Sequence, residues 1–456
     1  MTRPQDLPPG LELSPEERSF FRAHRRRVAP PFAVTRHLLG LLDPADPADP
    51  IRRQFLPTAA ELSPGVGELD DPLGEDRVQP VPNLLHRYQD RALLLATGRC
   101  AAYCRHCFRR RGSSGQRRAF LSPAELEQAA AYVGGHPEIR ELILSGGDPL
   151  LLSDARLRAL FARFRRERPE LALRVHTRLP VVLPRRITPA LVRLLAGWRP
   201  LRLVVQVNHP RELDPACRQA LGLLAAAGLP LLAQSVLLAG VNDRPRILAE
   251  LFAALRGAGV RPYYLFQPDL ARGTAHFRPD PARGLRLYRE AAALGPESPR
   301  YMLDLPGGGG KVPVEPELLG EREDGFYLLR RDGVAAARYP CYAGPMSTSG
   351  KKPKDFASVM RKTGKKLGKT LRGAAQATAK AAGKTAEVVA VRTKISAKQV
   401  RTKAEFLKMG ESFYRARKSG MSAEQIVAAM QPQVGKLDGL QQEIAALQLR
   451  EKTLRN

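Results

Sequence analysis

Between about residue 86 and residue 305 the chain repeats one pattern, a short apolar run followed by a stretch in which apolar residues recur at helical spacing. ALLLAT (92–97), LILSG (142–146), LRVHT (173–177), LRLVVQV (201–207), LPLLAQSVLL (229–238) and YYLFQ (263–267) have the length and content of strands. PACRQALGLLAAAG and the segment opening near Ser153 carry the helical period. Regular alternation of strand and helix predicts a parallel α/β sheet or barrel, whose functional groups sit in the loops after the strands.

The pattern changes near Met346. Residues 1–345 hold 49 arginines and one lysine, whereas residues 346–456 hold 16 lysines and 8 arginines. Of the formal charge of +29, the first segment carries +13 and the last 111 residues +16. We divide the chain into an N-terminal extension (1–85), a core (86–345) and a Lys-rich, mostly helical tail (346–456), in which Leu437, Leu440, Ile444 and Leu447 recur at helical spacing. A different-class reading of the tail is a nucleic-acid or anionic-surface binder, which predicts binding lost with the tail and weakened steeply by salt. It has few aromatics and no readable binding motif, which favours a solvated helical appendage. The start MTRPQDLPPG lacks a charged opening and apolar run, and no stretch of about 18 apolar residues is present, so a cytoplasmic protein is expected.

All five cysteines lie in the first segment, and Cys100, Cys104 and Cys107 fall within eight residues, CAAYCRHC, directly after an apolar run. That is not a disulfide framework. Three thiolates on one loop suit a 4Fe-4S cluster with one iron left open. A structural zinc needs a fourth ligand, and His106 lies within the motif, but the spacing is not the paired C-x2-C of common zinc sites. Ser145, Gly146, Gly147 and Asp148 form a turn after the next apolar run. In PGGGGKVP the four glycines give a pliable backbone, and Lys311 is the one lysine of the first 345 residues. Either chance has spared it, or an amine nucleophile is needed where a guanidinium cannot serve. The loop lacks the G-x4-GK[ST] pattern of a nucleotide-binding loop; the other role for such a lysine is an imine with pyridoxal 5′-phosphate.

The C-x3-C-x2-C spacing resembles the radical S-adenosylmethionine superfamily, and from about Pro82 to Tyr342 the chain resembles the lysine 2,3-aminomutases. LLHRYQDRALLL, CRHCFRRR, LSGGDPLL, RLPVVLPRRITPALV, NHPREL, QSVLLAGVND, RPYYLFQPD and LDLPGGGGKVPV carry the resemblance, in the family's order. It implies a partial (β/α) TIM-like barrel and conversion of L-lysine to β-lysine, through a 5′-deoxyadenosyl radical and 1,2-amino migration on the pyridoxal imine. Carried over by position, it makes Cys100, Cys104 and Cys107 the cluster ligands and Lys311 the Schiff-base lysine. Arg87, Tyr88 and Arg91 match the cofactor-phosphate positions, and Arg109 the residue that pairs with the substrate α-carboxylate. Ser145, Gly146, Gly147, Asp148 and Gln234 match the S-adenosylmethionine contacts, and Asp269 and Asp304 the pair that reads the ε-ammonium. Other arginines of the RRR run (109–111) are read as surface charge, and Cys217 and Cys341 as packing thiols.

The resemblance also implies a flavodoxin- or ferredoxin-type electron donor and a homo-oligomer. Arg244 stands where long members of the family place a zinc-binding cysteine, and no cysteine follows Cys341, so no zinc is expected. Gln206 and Phe266 replace a histidine and a tyrosine of the family pattern. The short build also resembles the branch that makes β-lysine for elongation factor P, and aminomutases for another amino acid are a further alternative.

Overall fold

The computed structural model describes residues 7–8, 10–25, 32–63, 65–110, 120–331, 334–341, 394, 398, 405 and 423–455. Arg111 and most of the tail lie outside them. The chain forms two compact units, Met1–Met346 and Ser347–Asn456. In the second, one helix spans Ala423–Arg455; it includes Pro432, buries Leu437 and Leu440, and pairs Glu443 with Lys398. No helix of the described residues is long and apolar enough to cross a membrane.

In the first unit, α1 (Pro15–Arg25), α2 (Arg36–Leu39) and α3 (Pro50–Phe55) precede the repeating part. Phe20, Phe21, Ile51 and Phe55 join these short helices to the main core, and a buried Arg52–Glu17 ion pair at 2.7 Å locks α3 to α1. Then follow β1 (Leu84–Tyr88), β2 (Arg91–Thr97), α4 (Pro123–Gly135), β3 (Glu141–Gly146), α5 (Asp154–Glu167), β4 (Ala172–Thr177), α6 (Leu179–Val182) and α7 (Pro189–Ala196). The series continues with β5 (Leu201–Gln206), α8 (Pro215–Ala226), β6 (Leu231–Val236), α9 (Pro245–Gly257), β7 (Arg261–Phe266), α10 (Pro281–Ala293), β8 (Arg300–Asp304) and β9 (Lys311–Pro313).

Strands β1 to β9 pair in sequence order, β2 to β8 all parallel and β1 and β9 antiparallel at the two edges. No β9–β1 pairing closes the sheet among the described residues, and the architecture is of the α/β class expected from the sequence, a mostly parallel sheet whose strands are joined by helices. Helix starts follow one recipe: Ser122, Thr188, Asp214 and Asp280 cap with a side-chain oxygen, and each is followed by proline at the first helical position. There proline's missing N–H costs nothing and its φ is already helical. Leu94, Leu144, Leu173, Val175, Leu203, Val205, Leu265 and Leu303 fill the space between sheet and helices, all within 0% of exposure. A separate antiparallel meander, β10 (Leu319–Glu323), β11 (Phe326–Arg331) and β12 (Val334–Pro340), follows.

Candidate active site

A cavity of ≈ 510 Å³ opens at the C-terminal ends of the parallel strands, and every candidate site residue named from the sequence lines it. The cysteine loop leaves β2, the SGGD turn leaves β3, Gln234 stands on β6, Phe266 ends β7, and Asp304 and Lys311 belong to β8 and β9.

Asp304 and Lys311 are direct cross-strand partners in the β8–β9 register, which puts their side chains on the same face. Lys311 Nζ donates to both carboxylate oxygens of Asp304 at 2.9 Å and lies 5.1 Å from the centre of the Phe266 ring. The loop that returns the chain is held by the Leu305 N–H on the Gly310 carbonyl at 2.9 Å. It needs its glycines because Gly307, Gly308 and Gly310 have φ of 75°, 105° and 86°. A Cβ at Gly308 would stand 2.9 Å from both the Arg87 guanidinium and the Leu73 carbonyl. Here the glycines answer to the hairpin and to the chain segment around Leu73, a reason the sequence did not disclose.

Asp269 is half-buried beside this pair. Burial first, and the neighbouring Asp304 carboxylate second, hold its carboxyl well above the usual range, only partly offset by Lys311 and Arg109. A cation placed beside it opposes that shift.

Arg109 has its Nε and Nη2 on the carboxylate of Glu75, at 2.9 and 2.7 Å, and its Nη1 on Ser145 Oγ at 2.9 Å. Burial works against its charge, and Glu75 more than restores it. Glu75 comes from the N-terminal extension, in an acidic turn with no motif to single it out. Arg87 donates to the Leu73 carbonyl, and Arg91 forms a fork with the carboxylate of its neighbour Asp90 at 2.8 and 2.6 Å. The Tyr88 hydroxyl accepts the Lys311 N–H at 3.1 Å, so this residue supports the lysine directly.

The SGGD turn is packed against the cysteine loop. Gly147 N–H donates to the Thr97 carbonyl at 2.6 Å and Asp148 N–H to the Arg99 carbonyl at 2.9 Å. A Cβ at Gly147 would lie 2.1 Å from the Arg99 carbonyl oxygen, so only glycine fits. Asp148 accepts from Leu150 N–H (3.1 Å), Thr177 Oγ1 (2.7 Å) and Arg178 N–H (2.7 Å), joining the loops after β3 and β4. Burial nevertheless pushes its carboxyl up to about 6.

Cys100, Cys104 and Cys107 open onto one part of the cavity wall. Burial first, then neighbouring charges including the other cysteines, raises Cys100 well above the usual thiol range and Cys107 to about 11. Among the described residues no three metal-binding side chains already share one metal-binding distance. Thiolates that disfavour one another gather around a cation, and a cluster's iron supplies one. His106 Nε2 is engaged by Asn208 Nδ2 at 3.1 Å, so this histidine belongs to a hydrogen-bond network behind the loop. The donors fit the three groups implied by the sequence: three thiols on one loop, two guanidiniums with a tyrosine beside a lysine, and a glycine turn next to the thiols. Sequence reasoning missed Glu75 and Arg178; the latter opens the quoted stretch RLPVVLPRR, which was the available signal.

Residues 94–252 match the model of the radical SAM superfamily, which defines the class of protein. The chain is 44% identical to the L-lysine 2,3-aminomutase of Clostridium subterminale over 306 residues, 66% of this chain and 73% of that one. It is 40% identical to that of Acetoanaerobium sticklandii, over 72% of this chain and 80% of that one. With the L-lysine 2,3-aminomutase of Escherichia coli it shares 38% identity over 70% of this chain and 93% of that one. The chain belongs to the lysine 2,3-aminomutase family.

Proposed function

We propose that the chain is an L-lysine 2,3-aminomutase, an isomerase that moves the amino group of L-lysine from C2 to C3 and gives β-lysine, with Lys311 as the lysine that carries pyridoxal phosphate. One observation supports the choice of substrate: the Lys311 ammonium rests on both oxygens of Asp304, beside half-buried Asp269. An ammonium on an alkyl stem is the far end of free lysine, and the protein already holds one there. When bound, the 4Fe-4S cluster supplies one electron that splits S-adenosylmethionine to a 5′-deoxyadenosyl radical, while pyridoxal phosphate carries the migrating amino group.

The chain's own groups then have separate tasks. Lys311 Nζ leaves Asp304 and gives up a proton before it can react, and the two aspartates become available to the substrate ε-ammonium. Asp269, whose carboxyl burial and Asp304 hold above the usual range, is the second carboxyl of the pair, and a cation beside it favours its charged form. Arg109 binds the substrate α-carboxylate from a guanidinium already desolvated and held by Glu75 and Ser145. Arg87 and Arg91 bring two guanidiniums to the cofactor phosphate, and Tyr88 keeps the Lys311 backbone in place. Cys100, Cys104 and Cys107 ligate the cluster; the SGGD turn, with Asp148 tying it to β4, and Gln234 form the S-adenosylmethionine wall. A reduced flavodoxin- or ferredoxin-type protein delivers the electron.

The test is anaerobic reconstitution with iron, sulfide, S-adenosylmethionine, pyridoxal phosphate, a reductant and lysine. β-Lysine is expected by chromatography. Its absence from protein that shows the 4Fe-4S absorbance overturns the proposal.

A further inference from the structure

Arg178, just beyond β4, has a side chain only 6% exposed. Its Nη2 donates to Gln54 Oε1 at 2.7 Å and to Glu212 Oε2 at 3.0 Å, and its guanidinium lies 4.7 Å from the centre of the Phe55 ring. Its backbone N–H is fixed by Asp148. Glu212 is fully buried and is held in turn by Gln54 Nε2 at 2.8 Å and the Asn208 N–H at 3.2 Å. The guanidinium is thus fastened from α3 and from the segment after β5, and its Nη1 lies 3.4 Å from His106 Nε2. The same Nη1 donates to Cys104 Sγ at 2.8 Å.

A neutral thiol is a weak acceptor, whereas a metal-bound thiolate is a strong one. Glu212 already balances the charge of this guanidinium, so what an anionic Cys104 sulfur adds is a strong acceptor for the Nη1 donor. Nε of the same guanidinium is buried without an acceptor among the described residues, so the placement is not the best one for folding alone. Hydrogen bonds to cluster sulfurs set reduction potentials, because the reduced cluster carries one more negative charge.

We propose that Arg178 is a positioning residue of the cluster: its Nη1–H donates to the Cys104 thiolate and raises the reduction potential, and Glu212 fixes the guanidinium and moderates its charge. One electron from the external reductant enters the cluster, and the donated bond stabilises the reduced form. The inference rests on the reading of Cys104 as a ligand.

The experiment is an EPR-monitored redox titration of the reconstituted full-length chain without substrate, with iron and sulfide content determined for each variant. Arg178→Met is expected to lower the equilibrium constant for reduction about tenfold, a fall of about 59 mV for one electron. The double variant Arg178→Met/Glu212→Gln keeps the net charge of the pair and removes the donor, so its potential also falls. Glu212→Gln alone leaves the guanidinium uncompensated and is expected to raise the potential. A general loosening of the site does not produce shifts of opposite sign. Potentials of Arg178→Met and the double variant equal to wild type overturn the proposal. If Arg178→Met takes up no cluster, Glu212→Gln decides, and an unchanged or lower potential is the overturning result. Wild-type protein that forms no 4Fe-4S cluster sinks the ligand reading itself, and this inference with it.

Discussion

Asp304→Asn separates recognition of the substrate's far end from the chemistry at C2 and C3. In the structure Asp304 accepts two hydrogen bonds of 2.9 Å from one ammonium, and its side chain is 14% exposed. A hydrogen bond to a charged group contributes roughly 1.5–3 kcal/mol. If the same carboxylate holds the ε-ammonium, its loss raises the KM for lysine roughly 10- to 150-fold, at 1.4 kcal/mol per factor of about ten. The contact is remote from the reacting carbons and equal in ground and transition states, so kcat changes far less. Initial rates of β-lysine formation give both constants. Norleucine, which lacks the ε-amine, is the control: whatever slow turnover it supports is no worse in the variant. Because Lys311 is released from Asp304 by the substitution, uptake of pyridoxal phosphate must also persist. A KM within twofold of wild type, or an equal loss with norleucine, refutes the reasoning.

Further outcomes are expected at four positions. Gly147→Ala, which meets the Arg99 carbonyl at 2.1 Å, destabilises the first unit by about 1–3 kcal/mol in denaturant unfolding. Gly222→Ala, within α8 and with nothing within 4 Å of its added Cβ, stabilises it by about 0.5–1 kcal/mol; equal effects at the two sites contradict the packing account. The Asp148 carboxyl is raised from 3.8 to about 6, so its contribution to stability is complete below pH 3.8 and is lost as pH rises through about 6. Relative to Asp148→Asn, which does not titrate there, wild-type stability falls by about 3 kcal/mol over that interval, and parallel pH curves rule the shift out. Arg109→Lys keeps the charge but loses the fork on Glu75, and its KM for lysine rises at least about tenfold, checked by initial rates.

Six of the seven parallel strands were legible because each is a short apolar run closed by a turn, and the cysteine loop because its spacing is local; β8, RYMLD, was not named. β9 was not legible: Lys311–Pro313 is too short to show a period, and its pairing with β8 depends on the glycine loop, whose Gly307 N–H donates to the Pro72 carbonyl at 2.8 Å. The site residues named from the sequence share one cavity, since the family motifs all follow strands of one sheet. Glu75, Gln54 and Glu212 escaped notice because their partners, Arg109 and Arg178, lie 34, 124 and 34 residues away in the chain. No local pattern carries such a pairing. The SGGD turn was legible as a motif, but the reason for its second glycine, the Arg99 carbonyl pressed against it, appears only when the two loops are packed together.

The central claim is that one lysine carries the cofactor, and the composition makes it directly testable, since the other 16 lysines all lie in the tail. Borohydride reduction of the protein loaded with pyridoxal phosphate, followed by proteolysis and mass spectrometry, fixes the cofactor to whichever lysine held it. The account requires the pyridoxyl group on Lys311 and its disappearance in Lys311→Arg; labelling confined to the tail, or undiminished β-lysine formation by Lys311→Arg, contradicts it.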